Sequence, residues 1–119
     1  MELKLNIYTD RKCKEIEKTL VANDFELSTG ICEDIMSIVD IDLIEGVEAL
    51  SEETQVVEVM KIVVRSFSTF KDMLKEVFDD LSDEDIEKTK MKEIASVVVQ
   101  ILKFAIKNLF SAFGGSKKN

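Results

Sequence analysis

The first residues of the chain alternate between apolar and polar side chains, and this period of two predicts a β-strand. Its apolar positions are Leu3, Leu5 and Ile7. After the polar segment 9–12, a second extended run is predicted from Lys14 to Val21, with Ile16 and Leu20 on one face. The two runs predict a β-hairpin, which must pack on helices because a lone hairpin is only marginally stable in water.

Beyond the hairpin the apolar positions recur at helical spacing. Asn23 and Glu26 have the spacing of a capping box, which predicts the start of a first helix. Its apolar stripe contains Leu27, Ile31, Ile35 and Ile38, widened by Met36 and Val39. The pattern predicts a helix to about Asp40 or Leu43, with Cys32 as a core thiol on its apolar side. Gly46 indicates a loop.

Two further helices are predicted in the middle of the chain. Ser51 is a suitable N-cap for a helix whose first turn is acidic. The following stripe contains Val56, Val59, Met60, Val63 and Phe67, and it continues through Phe70, Leu74, Val77 and Phe78. A bend is predicted at 66–68. Ser82 and Asp85 then indicate the cap of a short helix.

The last predicted helix runs from about Lys90 to Phe113, with Thr89 as its cap. It is apolar nearly all round except for one polar stripe, which consists of Ser96, Gln100, Lys103, Lys107 and Ser111. These interruptions argue against a transmembrane span. A helix this apolar must be nearly surrounded. It is either a central core helix, or a helix partly covered by a partner or another copy, or a helix that lies on a membrane surface.

Composition supports a helical fold. The 119 residues suffice for one domain, and the chain has no proline and only four glycines, whereas all-β folds need many turn residues. We therefore expect a mainly α fold, a small helical bundle with an N-terminal β-hairpin at about 1–22. The single domain is expected to span 1–113, followed by a flexible tail at 114–119.

Charge is unevenly distributed along the chain. The net charge is −8, which disfavours nucleic acid as a partner. Residues 24–58 contain eleven acidic side chains and no basic one, whereas residues 88–119 contain seven lysines and one acid. The pattern fits an ordinary solvated surface, or copies that associate through an acidic middle and a basic end.

The residue types that usually carry catalysis are absent. There is no histidine to act as a general acid or base, and no phosphate-binding fingerprint. The acidic clusters at 40–45 and 79–85 lack the ligand spacing of a calcium loop, so helix ends and solvated loops explain them better. We therefore expect no enzyme activity and no catalytic, cofactor or metal site. Two cysteines and an N-terminus without a signal-like apolar segment favour a reducing cytosol.

Several segments in order along the chain resemble one known family, the tail assembly chaperones of long-tailed bacteriophages and prophages of Gram-positive bacteria. The opening strand 1–8, the acidic helix end 37–42 and the segment 81–94 are similar to that family, and the last of these is the closest match. The apolar final helix followed by 114–119 is similar too. These are patterns of residue type rather than catalytic signatures.

The resemblance implies a function without chemistry in the cytoplasm of the bacterial host. Such chaperones bind the aggregation-prone tape measure protein and keep it soluble until tail tube subunits polymerise around it. Many copies would be needed along so long a client, so we expect this chain to associate with itself. The contact residues expected here are Phe104, Leu109, Phe110 and Phe113, and the competing interpretation places all four in the core. In many relatives a frameshift produces a longer form that recruits the tail tube protein, and 117–119 can be encoded by a slippery adenine run.

Two other classes of function stay open at this point. The acidic stretch 24–58 would suit a regulatory or inhibitor protein that binds a basic partner, with strong dependence on salt. The apolar last helix would suit a small membrane-active effector. The resemblance favours the chaperone.

Overall fold

The computed structural model describes residues 2–23, 25–39, 46 and 50–109, and the side chains of 106–109 are not among the described ones. These residues form one two-stranded hairpin and five helices, which agrees with the predicted fold class. The strands are β1 (Leu3–Tyr8) and β2 (Ile16–Ala22). The helices are α1 (Thr29–Met36), α2 (Glu52–Arg65), α3 (Phe67–Val77), α4 (Asp83–Ile86) and α5 (Met91–Leu109).

The hairpin is antiparallel, with Leu3 opposite Ala22 and Leu5 opposite Leu20, and a register shift after Ile7. The apolar side chains of β1 are fully buried against α4 and α5, whereas β2 is mostly exposed. The second strand begins at Ile16 rather than at Lys14. Ile16 is exposed, whereas Leu20 is half-buried. In the connection, Cys13 adopts a left-handed conformation with φ of 54°.

The predicted start of the first helix was wrong. Ser28, not Asn23, is the N-cap of α1, and its hydroxyl accepts the backbone N–H of Ile31 at 3.1 Å. A tertiary contact explains this shift, because Glu76 of α3 accepts both the backbone N–H and the hydroxyl of Ser28, at 2.9 and 2.7 Å. Residues 25–28 therefore run to α3 without forming a helix.

The predicted end of the first helix was also wrong. The helix α1 stops at Met36, where Ser37 donates its hydroxyl to the carbonyl of Asp34 and turn bonds follow. The predicted endpoints Asp40 and Leu43 lie outside the described residues. Gly46 has helical backbone rather than the predicted loop. Cys32 is half-buried, so the prediction of a core thiol holds only in part.

The next boundaries lie at serines as predicted, and the hydroxyls of Ser51 and Ser82 form capping bonds. Ser51 caps α2 by accepting the N–H of Thr54. The chain bends at Ser66, where α2 ends and α3 begins. Ser82 and Asp85 form a reciprocal capping box at the start of α4.

The last helix begins two residues after Thr89, which does not cap it. The hydroxyl of Thr89 donates to the carbonyl of Ile86, and the first backbone bond of α5 runs from Ile94 to Lys90. The predicted residues 110–113 of this helix and the predicted tail 114–119 lie outside the described residues.

The core forms where α5 lies against α2 on one side and β1 on another, while α1 packs on α3. Its largest fully buried side chains are Phe70, Leu3, Leu5, Ile7, Met73, Leu74, Ile94 and Ile101. Every described element contributes to this core, although β2 buries only Ala22 in it and α4 only Ile86, so the hairpin and helices share one core.

Candidate partner-binding surface

The burial of side chains on the last helix decreases toward its C-terminal end. From Ile94 to Leu102 it is core: seven side chains are buried, and they are Ile94, Ala95, Val97, Val98, Val99, Ile101 and Leu102. The next three side chains, at 103–105, are only half-buried. The core interpretation is therefore right for the first part of α5. Burial then decreases at 103–105, while apolar residues recur beside the polar stripe as far as Phe113.

One of the four predicted contact residues has a described side chain. Phe104 is half-buried, and its ring lies 4.8 Å from that of Phe25, tilted by 51°. Part of the Phe104 ring is therefore covered by Phe25 of the same chain. Leu109 is the last residue of α5, with its side chain outside the description, and Phe110 and Phe113 lie beyond the described residues.

A hydrogen bond connects the C-terminal half of α5 to the start of α2. The side-chain carbonyl of Gln55 accepts a hydrogen bond from Lys103 Nζ at 3.1 Å, and its amide donates to the carbonyl of Leu50 at 3.2 Å. Gln55 is 5% exposed, which is unusual for an amide on a surface helix. Because α2 and α5 run alongside each other, the end of α5 lies beside the acidic first turn of α2.

The other end of α5 is held by the hairpin. Tyr8 is buried, and its hydroxyl donates to Glu93, at 2.8 and 3.0 Å from the two carboxylate oxygens. The ammonium of Lys90 lies 5.1 Å from the centre of the Tyr8 ring. Burial raises the pKa of Tyr8, and the hydrogen bond to Glu93 and its negative charge raise it further, against a smaller opposing effect of Lys90.

Ion pairs link the hairpin, α3 and α4. Lys75 and Lys71 both contact Asp83, and the hydrogen bond from Lys75 is the main cause that lowers the pKa of Asp83. Arg11 pairs with Glu87 and lowers its pKa. Asp85 is buried, serves the capping box and receives Lys18 of β2 at 3.4 Å. Much of the acidic segment 79–85 therefore has a structural role, as predicted.

The acidic stretch 24–58 is different. Its described carboxylates are mostly exposed, and five of them form neither an ion pair nor a hydrogen bond within the described residues: Glu26, Glu33, Asp34, Glu52 and Glu53. They lie before α1, on α1 and in the first turn of α2. Such carboxylates are available to a basic partner.

An exposed apolar surface on α2 was not predicted from the sequence. We call it the α2 outer face and define it as Leu50, Thr54, Val57, Lys61 and Val64, all of which are exposed. It lies opposite the buried positions Gln55, Val59 and Val63. The signal was in the sequence, because Leu50, Val57 and Val64 are seven residues apart, but the inner stripe masked it.

A shallow groove of about 230 Å³ lies between the end of β2 and the end of α3, and two acidic side chains, Asp79 and Asp80, line part of it.

Among the described residues, no group of three or more cysteine, aspartate and glutamate side chains is placed to hold a metal ion. No helix in that part of the chain has the length and apolar character to cross a membrane.

Comparisons with protein-family models, with curated proteins and with solved structures found no match to this chain.

Proposed function

We propose that this chain is a phage tail assembly chaperone, which binds the tape measure protein in the host cytoplasm and keeps it soluble without catalysis. The observation that carries the proposal is the decrease in burial along α5, from the buried side chains that end at Leu102 to the half-buried ones at 103–105, while apolar residues recur in the sequence as far as Phe113. An apolar helix end of this kind suits a client that exposes amphipathic helical stretches.

The client-facing residues in this proposal are Phe104, Leu109, Phe110 and Phe113. The contact between Phe104 and Phe25 supports a positioning role for Phe104, because the ring contact anchors this end of α5 to the segment that follows the hairpin. The bond between Lys103 and Gln55 holds the same end from the side of α2. These two contacts hold α5 in place at Lys103 and Phe104, which reduces the conformational entropy lost when a client binds.

The test is co-expression with the tape measure protein encoded nearby, followed by pull-down and mass determination. We expect a soluble complex with several copies of the chain per client. Phe110→Asp and Phe113→Asp should abolish this complex while leaving the circular dichroism of the free chain unchanged, because a carboxylate opposes burial in an apolar interface.

The matched control is Ile16→Asp. Ile16 is 54% exposed and lies on the hairpin, opposite Tyr8, near the other end of the 19-residue helix α5. This substitution should leave client binding unchanged. A tape measure protein that stays insoluble in the presence of the wild-type chain would overturn the proposal, as would equal loss of binding in the Ile16→Asp control.

A longer frameshifted form that recruits the tail tube protein belongs to the same proposal. Mass spectrometry of the proteins expressed from the native gene region would detect a second product that shares this chain's N-terminal peptides. Detection of a single product that does not bind the tail tube protein would contradict the proposed longer form, and it would not affect the proposal of client binding.

The carboxylates on α1 and at the start of α2 that have no partner within the described residues favour one second candidate, an acidic regulator or inhibitor of a basic partner. Binding of that kind weakens steeply as salt rises, whereas apolar client binding does not. Charge reversal at Glu33 and Asp34 separates the two, because it should abolish binding to a basic partner and leave tape measure binding intact.

A further inference from the structure

The α2 outer face contains three of the six large apolar side chains that are exposed among the described residues. Leu50, Val57 and Val64 are 40%, 48% and 59% exposed. Two helical turns separate Val57 from Val64, so both point in nearly the same direction. Leu50 lies just before the N-cap Ser51 and extends the row toward the start of the helix. The opposite side of α2 is already packed on α5 and α3.

We infer that the α2 outer face is the surface through which two copies of this chain associate, with their α2 helices antiparallel about a two-fold axis at Val57. A two-fold interface must be self-complementary, because the same patch meets itself in reverse order. The sequence around Val57 satisfies this requirement in both its apolar and its charged positions.

The apolar positions match under this reversal. Val64 lies two helical turns after Val57, so it reaches the start of the second copy's α2, where Leu50 precedes the N-cap. Val57 meets its own counterpart at the axis. Met60, which is half-buried at the flank, falls opposite Thr54. No apolar side chain of the row is placed opposite a charge.

The charged positions match as well. Glu53 is four residues before Val57 and Lys61 is four residues after it, so each exposed Glu53 carboxylate lies opposite the Lys61 ammonium of the second copy. Glu53 forms no ion pair within the described residues of its own chain, while Lys61 contacts Glu58 at 3.2 Å. The association therefore adds two ion pairs that give the interface its register.

A second copy fits this face better than an amphipathic client helix does, because a client has no reason to present the reversed order of the same charges and apolar residues. The inference concerns the free chain and does not depend on the proposed function. Loss of client binding with the dimer intact would contradict only the chaperone proposal, and a strictly monomeric free chain would contradict only this inference.

The first experiment is sedimentation equilibrium of the free chain over a range of concentrations. We expect a reversible dimer whose dissociation constant rises at least about tenfold in Glu53→Lys, where two lysines would face each other, and returns to near the wild-type value in Glu53→Lys/Lys61→Glu. Both positions are exposed, so circular dichroism should show the same fold in all variants.

The second experiment fixes the register by disulfide trapping, in a background with Cys13→Ser and Cys32→Ser. Val57→Cys should form an intermolecular disulfide readily, because the two sulfurs meet at the axis. Val64→Cys is the control, similarly exposed on the same face but two turns from the axis, and it should not. A chain that is monomeric at every concentration, charge reversal without rescue, or equal trapping of both variants would overturn the inference. A client that protects Val57→Cys from modification while the free chain stays monomeric would assign the face to the client instead.

Discussion

At the residue scale, Tyr8 shows how one side chain connects the hairpin to the longest helix. Its ring is buried in the core, its hydroxyl binds Glu93, and its backbone N–H donates to the carbonyl of Lys88 at 2.8 Å. Glu93 lies in the first turn of α5, where a negative charge is favoured by the helix dipole. The same carboxylate thus stabilises the helix start and orients the tyrosine.

Ionisation of Tyr8 gives the first prediction. Because its pKa in the folded chain lies above the unfolded value of 10.0, the stability it contributes is complete below about pH 10 and is lost as pH rises through the folded pKa. Tyr8 is the only tyrosine and there is no tryptophan, so the absorbance of tyrosinate reports on this residue alone. We expect a higher midpoint in the native chain than in denaturant.

Three variants test the causes of that shift. Glu93→Gln should move the midpoint back toward the unfolded value, because the negative charge is removed. Lys90→Met should move it further up, because Lys90 opposes the shift. Lys92→Met is the control, since Lys92 is exposed and has no contact with Tyr8. An identical midpoint in the native and the denatured wild-type chain would contradict this account.

At the element scale, Gln55 joins the start of α2 to the end of α5. A buried amide costs stability unless it is hydrogen-bonded, and here it bonds both Lys103 and the carbonyl of Leu50. Gln55 sits in the buried face of α2, between positions that an apolar stripe would normally fill. The local pattern alone gives no reason for an amide there.

The second prediction concerns this link. Gln55→Met should lower the free energy of unfolding by about 1 to 3 kcal/mol, because Lys103 and Leu50 lose a partner in a poorly solvated place. In Lys103→Met/Gln55→Met the two effects should not add, since the substitutions remove one shared interaction. Urea denaturation measures both.

Gln100→Met is the matched control for Gln55→Met. Gln100 is exposed on α5, and its amide only donates to Ser96 one turn earlier, at 3.4 Å. The control should change stability by less than about 0.5 kcal/mol. If Gln55→Met is no more destabilising than Gln100→Met, the hydrogen bond between Gln55 and Lys103 does not contribute to the stability of the fold.

At the scale of the whole molecule, the hairpin and the helices share one core. The side chains of Leu3, Leu5 and Ile7 are fully buried against α5, although β2 leaves most of its own side chains in solvent. A two-stranded hairpin has too little apolar surface to be stable by itself. We therefore expect the strands and helices to unfold together.

The third prediction follows from this shared core. Leu5→Ala should lower the free energy of unfolding by about 2 to 5 kcal/mol, whereas Val21→Ala, at a position that is 49% exposed, should lower it by less than about 1 kcal/mol. In the wild type, the fluorescence of Tyr8 and the helical circular dichroism should share one urea midpoint. An earlier change in Tyr8 fluorescence would mean that the hairpin melts separately.

The sequence by itself predicted the hairpin, the capped starts of α2 and α4, the bend at Ser66 and a long apolar α5, but it left open which part of α5 is core. The strands and helices follow from side-chain period, and the starts of α2 and α4 from serine hydroxyls that bond backbone groups three residues away; both are local properties. It also predicted Phe104, Leu109, Phe110 and Phe113 as contacts, of which the description reaches only the Phe104 side chain.

The tertiary structure alone decided where α1 begins, why Gln55 is buried and which side of α2 stays exposed. Glu76 binds Ser28 across 48 residues of sequence, and Lys103 binds Gln55 across the same separation. Local pattern favoured Asn23 as the cap, but the two hydrogen bonds that Ser28 donates to a distant carboxylate outweighed it. A helix with apolar residues on two sides can bury either side, so the pattern alone does not say which side of α2 is exposed. The structure shows that Val59 and Val63 face the core, and the side with Leu50, Val57 and Val64 therefore stays exposed.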